Sequence, residues 1–166
     1  ATLSAAPADA WSWYASAYRA GGKQGFSRAT AGIVVTPAAL PKLQLEYAYN
    51  GQGMADAEYA ALRRQAQAEL PPYILAALAA RLSSLGARQH YASLTMSQAV
   101  GAWDLGGGLY KGLDDGSKVW HGQADYKFGT RTQLMLSVMR QQGKAGSERA
   151  LSPVKEVLAL RLRQAF

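Results

Sequence analysis

The chain has 166 residues, 17% of them charged and 49% hydrophobic, with four Trp, nine Tyr and seventeen Gly. That is one domain's worth of chain, too apolar and aromatic for disorder. No apolar run approaches the roughly 20 residues of a spanning helix, which excludes a helical membrane protein. Cysteine is absent, which excludes a disulfide scaffold, a thiolate metal site and a cysteine nucleophile. The excess of 18 basic over 11 acidic residues favours nucleic acid, anionic lipid or lipopolysaccharide phosphate as a partner. The opening Ala1-Thr2-Leu3 has neither Met nor a basic-then-apolar leader, as expected of a processed mature protein or a fragment.

From Trp11 onward the pattern is period two, the mark of strands with unlike faces. Trp11, Trp13, Ala15 and Ala17 oppose Ser12, Tyr14, Ser16 and Tyr18. Ala29, Ala31, Ile33 and Val35 oppose Arg28, Thr30, Gly32 and Val34, and Leu43, Leu45, Tyr47 and Tyr49 oppose Lys42, Gln44, Glu46 and Ala48. Residues Asp56–Leu85 then read as helix, with Asp56 as the N-cap, Glu58 in the first turn and Gly86 at the stop. Pro71-Pro72 divides this stretch into a helical hairpin. Its second half carries a stripe of Ile74, Leu75, Leu78, Leu82 and Leu85.

Alternation resumes with Ala92, Leu94 and Met96 against Tyr91, Ser93, Thr95 and Ser97, then Trp103, Leu105, Gly107 and Leu109 against Asp104, Gly106, Gly108 and Tyr110. Trp120, Gly122, Ala124, Tyr126 and Phe128 oppose His121, Gln123, Asp125 and Lys127. Thr132, Leu134, Leu136 and Val138 oppose Arg131, Gln133, Met135 and Ser137. Finally Leu158, Leu160, Leu162 and Phe166 oppose Val157, Ala159, Arg161, Arg163 and Ala165, with Gln164 interrupting the apolar face. The pattern predicts eight strands with Gly-, Pro- or Asp-rich turns between them.

The polar face lacks the many Lys and Glu of a water-facing sheet and is rich in Gly, Ser, Thr, Gln and Tyr, which suits the crowded interior of a small barrel. With the strands alternating up and down, the links 36–41, 99–102 and 129–130 fall at one end. The helical insertion of residues 50–87 and the loops 111–117 and 141–152 fall at the other. Short turns on one side and long loops on the other is the rule of membrane barrels. Aromatics gather in two belts. Trp11, Trp13, Trp103, Tyr126, Phe128 and Phe166 lie near the turn end, and Tyr47, Tyr49 and Trp120 near the loop end.

The final strand, Val157-Leu158-Ala159-Leu160-Arg161-Leu162-Arg163-Gln164-Ala165-Phe166, resembles the terminal strand of Gram-negative outer-membrane β-barrel proteins. The resemblance covers ten residues and implies that Phe166, with Leu158, Leu160 and Leu162 on its face, is the signal read by the barrel-assembly machinery. It implies an all-β, antiparallel up-and-down transmembrane barrel occupying residues 1–166. Residues 1–9 are then a periplasmic N-terminal segment, both termini are periplasmic, and residues 50–87 form an extracellular helical loop. The chain is either a complete eight-stranded barrel or the C-terminal part of a larger one.

On this reading Lys111 and Arg140 reach lipopolysaccharide phosphates. The lumen is lined by Arg28, Lys42, Glu46, Asp104, His121, Asp125, Lys127, Arg131, Arg161 and Arg163. These charges form either an internal ion-pair network or the lining of an anion-selective pore. The expected function is porin-like passive transport in the outer membrane, with outer-membrane lipid and lipopolysaccharide as surroundings. The alternative is a closed structural or surface-binding barrel whose helical loop recognises a protein partner. A lipid-modifying enzyme ranks third, because His90 and Ser93 lie on opposite faces and His121 has no serine beside it; a polar-core histidine is the expected reading, with His121 on the polar face. Two isolated histidines make no metal site. Asp114-Asp115-Gly116 reads as a hairpin turn, and Gly106-Gly107-Gly108 as a bend or a place of close packing. Basic residues are dispersed rather than gathered with stacking aromatics, which argues against nucleic acid. No cofactor is expected.

Overall fold

The computed structural model describes residues 1–8, 10–21, 27–38, 40–66, 71–74, 76–77, 87–150, 152 and 154–165. Among the described residues nine strands follow one another: β1 (Thr2–Ala8), β2 (Trp11–Arg19), β3 (Ser27–Val35), β4 (Lys42–Asn50), β5 (His90–Val100), β6 (Trp103–Gly112), β7 (Lys118–Phe128), β8 (Thr132–Gln142) and β9 (Glu156–Gln164). They form one sheet in sequence order, each strand antiparallel to the next. No ladder joins β1 to β9, so among the described residues the sheet is open at both edges.

The eight predicted strands correspond to β2–β9, and β1 corrects both the strand count and the assignment of residues 1–9 to a simple terminal segment. Thr2–Ala8 is Ala-rich and contains Pro7, which weakens any strand signal in the sequence. As an edge strand, however, it has one side without ladder bonds, where proline is tolerated. Its pairing with β2 shifts register between Ala5 and Ala8, around that proline. The extra strand also places Ala1 at the opposite end of the sheet from the end of β9, with its ammonium donating to the Ala17 carbonyl at 2.8 Å. The expectation of both termini at one end is therefore corrected as well.

At the turn end the connections are short. Gly101-Ala102 joins β5 to β6, with Gly101 at φ 61°. A positive φ at the first central residue is the pattern of a tight hairpin whose twist matches its strands. Residues 51–89 and 143–155 make the long connections at the other end. Within the first of these, α1 (Asp56–Ala66) begins with the Glu58 carboxylate accepting the Ala55 N–H at 3.1 Å and the Ala55 carbonyl accepting the Tyr59 N–H at 2.9 Å. Ala55 is thus the N-cap and Glu58 closes half of a capping box. Asp56, the expected cap, is the first helical residue and sends its carboxylate to Arg88 instead. Residues 72–74 and 76–77 are also helical, whereas Leu75, Leu78, Leu82 and Leu85 of the expected stripe lie outside the described residues.

The sheet is inverted relative to one that packs a core in water. Its apolar face is the open one: Leu158, Leu160 and Leu162 are 75%, 69% and 66% exposed. Its polar face buries Ser93 and Asp125. Glycines let bulky groups lie flat on that polar face. Gly32 stands directly opposite Tyr14, and a Cβ there would come within 2.6 Å of the Tyr14 ring. Gly108, opposite His121, would place a Cβ 2.6 Å from the Leu94 carbonyl and 2.9 Å from the His121 Nε2. Close packing against a large neighbour is therefore the role of this part of the glycine run.

Candidate functional site

The polar face and the loops at one end of it form a continuous polar surface. In its middle, Tyr14 donates to the Glu46 carboxylate and accepts from Gln44 at 2.9 Å, while Ser16 and Thr30 share a hydrogen bond of 2.6 Å. His121 lies against the Tyr110 ring, centroids 5.6 Å apart, and its Nε2 is buried without a hydrogen-bond partner. Gln123 donates to one Asp125 oxygen at 2.6 Å, while the other is buried and unpartnered. Toward the turn end, Lys127 pairs with Asp104 at 2.5 Å. Buried polar atoms without partners are uncommon, so His121 and Asp125 mark this face as built around something other than apolar packing.

The expected lumen residues fall on this face at different depths. Arg28 reaches Gln52 at 2.7 Å, drawing the start of β3 to the long loop. Glu46 and His121 occupy the middle, and Asp125, Lys127, Arg131, Arg161 and Arg163 lie toward the turn end of β7–β9. Lys42 lies exposed at the start of β4. Among the described residues Lys127 pairs with Asp104, whereas Lys42, Arg131, Arg161 and Arg163 make no salt bridge. His90 does not belong to this face, in keeping with its opposite parity to Ser93. It stands at the start of β5 on the apolar face, its Nδ1 2.6 Å from the Tyr47 hydroxyl and its ring 5.3 Å from that of Tyr49.

The aromatics expected near the ends of the strands do cluster. Trp103 and Tyr126 are cross-strand partners with centroids 4.8 Å apart, and Phe128 meets Tyr126 edge-on at 4.5 Å. Trp11 and Trp13 lie toward the same end on β2, and Trp120 toward the loop end on β7. Phe166 lies outside the described residues.

Three connections converge at the loop end into a buried polar cap that the sequence did not single out. Glu148, fully buried, accepts from the Arg149 guanidinium at 2.7 Å and from the Tyr91 hydroxyl at 3.0 Å. Asp115 accepts the Glu148 N–H at 2.7 Å and the Ser117 N–H at 2.9 Å. Asp114 accepts the N–H groups of Gln89 and His90 at 2.9 and 3.0 Å. The two aspartates of the expected hairpin turn thus tie the turn to both long loops. Arg88, 2% exposed, pairs with Asp56 of α1 and lies 4.6 Å from the centre of the Tyr59 ring. Burial raises the Glu148 carboxyl above its ordinary value, against the pull of Arg149. Burial, with the negative charges of Asp115 and Glu148, pushes the Tyr59 hydroxyl up to about 12.

Beneath the cap lies a recess of about 380 Å³ that takes in Arg28, Glu46, Tyr91, Ser93, Tyr110 and Arg149. Its strand residues share a side of the alternation, but nothing in the sequence joins them to Arg149, because the contacts that tie the three connections together link positions 24 to 57 residues apart. Among the described residues, no three His, Cys, Asp or Glu side chains are grouped as a metal would need. Comparison with protein-family models, with curated proteins and with solved structures finds no match.

Proposed function

We propose that this chain forms the wall of a porin-like passive transport protein in the outer membrane of a Gram-negative bacterium, with the polar face turned to the water-filled side. The observation that carries the reading is the inverted sheet: Ile33, Leu45, Leu94 and Met96 of interior strands stand 46–55% exposed, opposite a face that buries Asp125 and Ser93. In water, such an arrangement leaves large apolar side chains unburied at about 1.5–3 kcal/mol each, a cost that hydrocarbon removes. Transmembrane barrels alternate in this sense.

Two further features support it. Aromatics occupy both ends of the apolar face, where interfacial rings are favoured. Lys111 and Lys118 stand directly opposite one another on β6 and β7, at the loop end. Like charges in that position are unfavourable unless an anion lies over them, which fits lipopolysaccharide phosphate. Arg140 nearby is already engaged by Glu156 at 3.2 Å, so the lysines are better suited to that contact than the arginine.

The test is ion conductance across a planar bilayer, using protein whose unboiled gel mobility shows it is folded. Steady channels are the expected outcome. Folded protein that inserts yet passes no current would overturn transport and leave a structural or partner-binding wall.

A further inference from the structure

We infer that the turn end of the polar face is a binding site for dissolved oxyanions, phosphate- or carboxylate-bearing, held by Arg131, Arg161 and Arg163. This inference deepens the porin-like reading and rests on it for the direction from which solute arrives, but not for the existence of the site.

Register brings the cations together. Lys127, Gln133 and Arg163 form one cross-strand row over β7, β8 and β9. Asp125, Met135 and Arg161 form the row two residues away, about 7 Å along the strands. Arg131 enters β8 from the turn, its carbonyl accepting the Ala165 N–H at 2.9 Å, which sets it diagonally from Arg163. A recess of about 430 Å³ lies among Lys127, Thr130, Arg131, Gln133 and Arg163.

Among the described residues, the local carboxylates do not neutralise this group. Asp104 is held by Lys127 at 2.5 Å. Asp125 receives Gln123 at 2.6 Å and makes no salt bridge. Among the described residues, the side chains of Arg131, Arg161 and Arg163 make no ion pair or hydrogen bond. Three guanidiniums on one face, with their donor forks uncommitted, match the geometry that recognises carboxylate and phosphate in two-point contacts. The acids lie on β6 and β7 and the arginines on β8 and β9. A bound anion is therefore drawn to the β9 side of the face.

Inorganic phosphate and pyrophosphate are titrated by calorimetry into the full chain, folded in zwitterionic detergent and checked by gel mobility. Arg161→Gln with Arg163→Gln should weaken pyrophosphate binding by about tenfold or more, since it removes two charge-assisted donors. Arg131→Gln should weaken it by a smaller factor, and Arg161→Lys with Arg163→Lys should retain part of it. Arg64→Gln, on α1, removes the same net charge as Arg131→Gln but away from the site, and should leave binding unchanged. Equal affinity in the wild type and the Arg161/Arg163 variant, or an equal loss in Arg64→Gln, would overturn the site. Conductance separates the two ideas. Channels with arginine-independent phosphate affinity refute this site and keep the pore, whereas arginine-dependent binding in a silent protein keeps the site and refutes the pore.

Discussion

Replacing Glu148 with alanine tests whether the cap is held by one buried carboxylate. The side chain is fully buried and engages the Arg149 guanidinium and the Tyr91 hydroxyl. Its removal takes the buried carboxylate away from Arg149, itself 6% exposed, which keeps a hydrogen bond to Gln141 at 3.4 Å. Breaking a buried pair from one side costs about 3–5 kcal/mol. The cap's opening equilibrium should therefore shift by roughly two to three powers of ten. Hydrogen exchange reads this directly at the amides of Gln89, His90 and Glu148, which donate to Asp114 and Asp115. Exchange at the centres of β6 and β7 should be unchanged, because local opening need not involve the sheet. Glu148→Gln keeps an oxygen acceptor for Arg149 and should cost only about 1 kcal/mol. Cap amides as protected in Glu148→Ala as in the wild type would refute this account of the cap.

The Glu148 carboxyl is raised above its ordinary value of 4.5 by burial, so its contribution to stability is fully present below 4.5 and lost as pH rises through the folded value. Proteolysis within residues 143–155 should accordingly slow between pH 7 and pH 5, and Glu148→Gln should abolish that dependence. Gly32→Ala should lower stability by about 1–3 kcal/mol through contact with the Tyr14 ring, measured as a denaturant midpoint, and Tyr14→Ala in the same chain should relieve it. Gly108→Ala should not be relieved by His121→Ala, because the Leu94 carbonyl remains 2.6 Å from the new Cβ. Gly21→Ala, with nothing within 4 Å, is the neutral control. Asp104→Asn should cost less than about 1 kcal/mol, since both members of its ion pair with Lys127 are about half exposed.

Strands β2–β9 were legible because a period of two over seven or more residues leaves little room for another reading. Faces were legible for the same reason: once Leu160 is placed, Arg161 must point the other way. β1 was not, since alanine and proline carry almost no facial contrast. The cap was illegible for a different reason. Glu148 and Arg149 are adjacent in a polar loop and read as solvated charges, and only the meeting of three connections removes them from water. His90 shows the limit of residue type as a guide. Its position in the alternation, in step with Ala92 and Leu94 and opposite to Ser93, places it on the apolar face beside Tyr47 and Tyr49 although it is polar.

Parity follows from the ninth strand. In a meander of nine, the first and last strands run in the same direction, whereas a ring made only of antiparallel neighbours requires an even number. β1 and β9 therefore cannot zip together as every other neighbouring pair in this sheet does. A second copy in the same orientation does not help, because β9 of one would meet β1 of the next, again head beside head. Within this chain β9 has an antiparallel mate in β2 only if β1 gives up its ladder, and otherwise each edge matches a strand that runs from the turn end to the loop end. Whether the sheet closes is thus a matter of odd and even before it is one of energy.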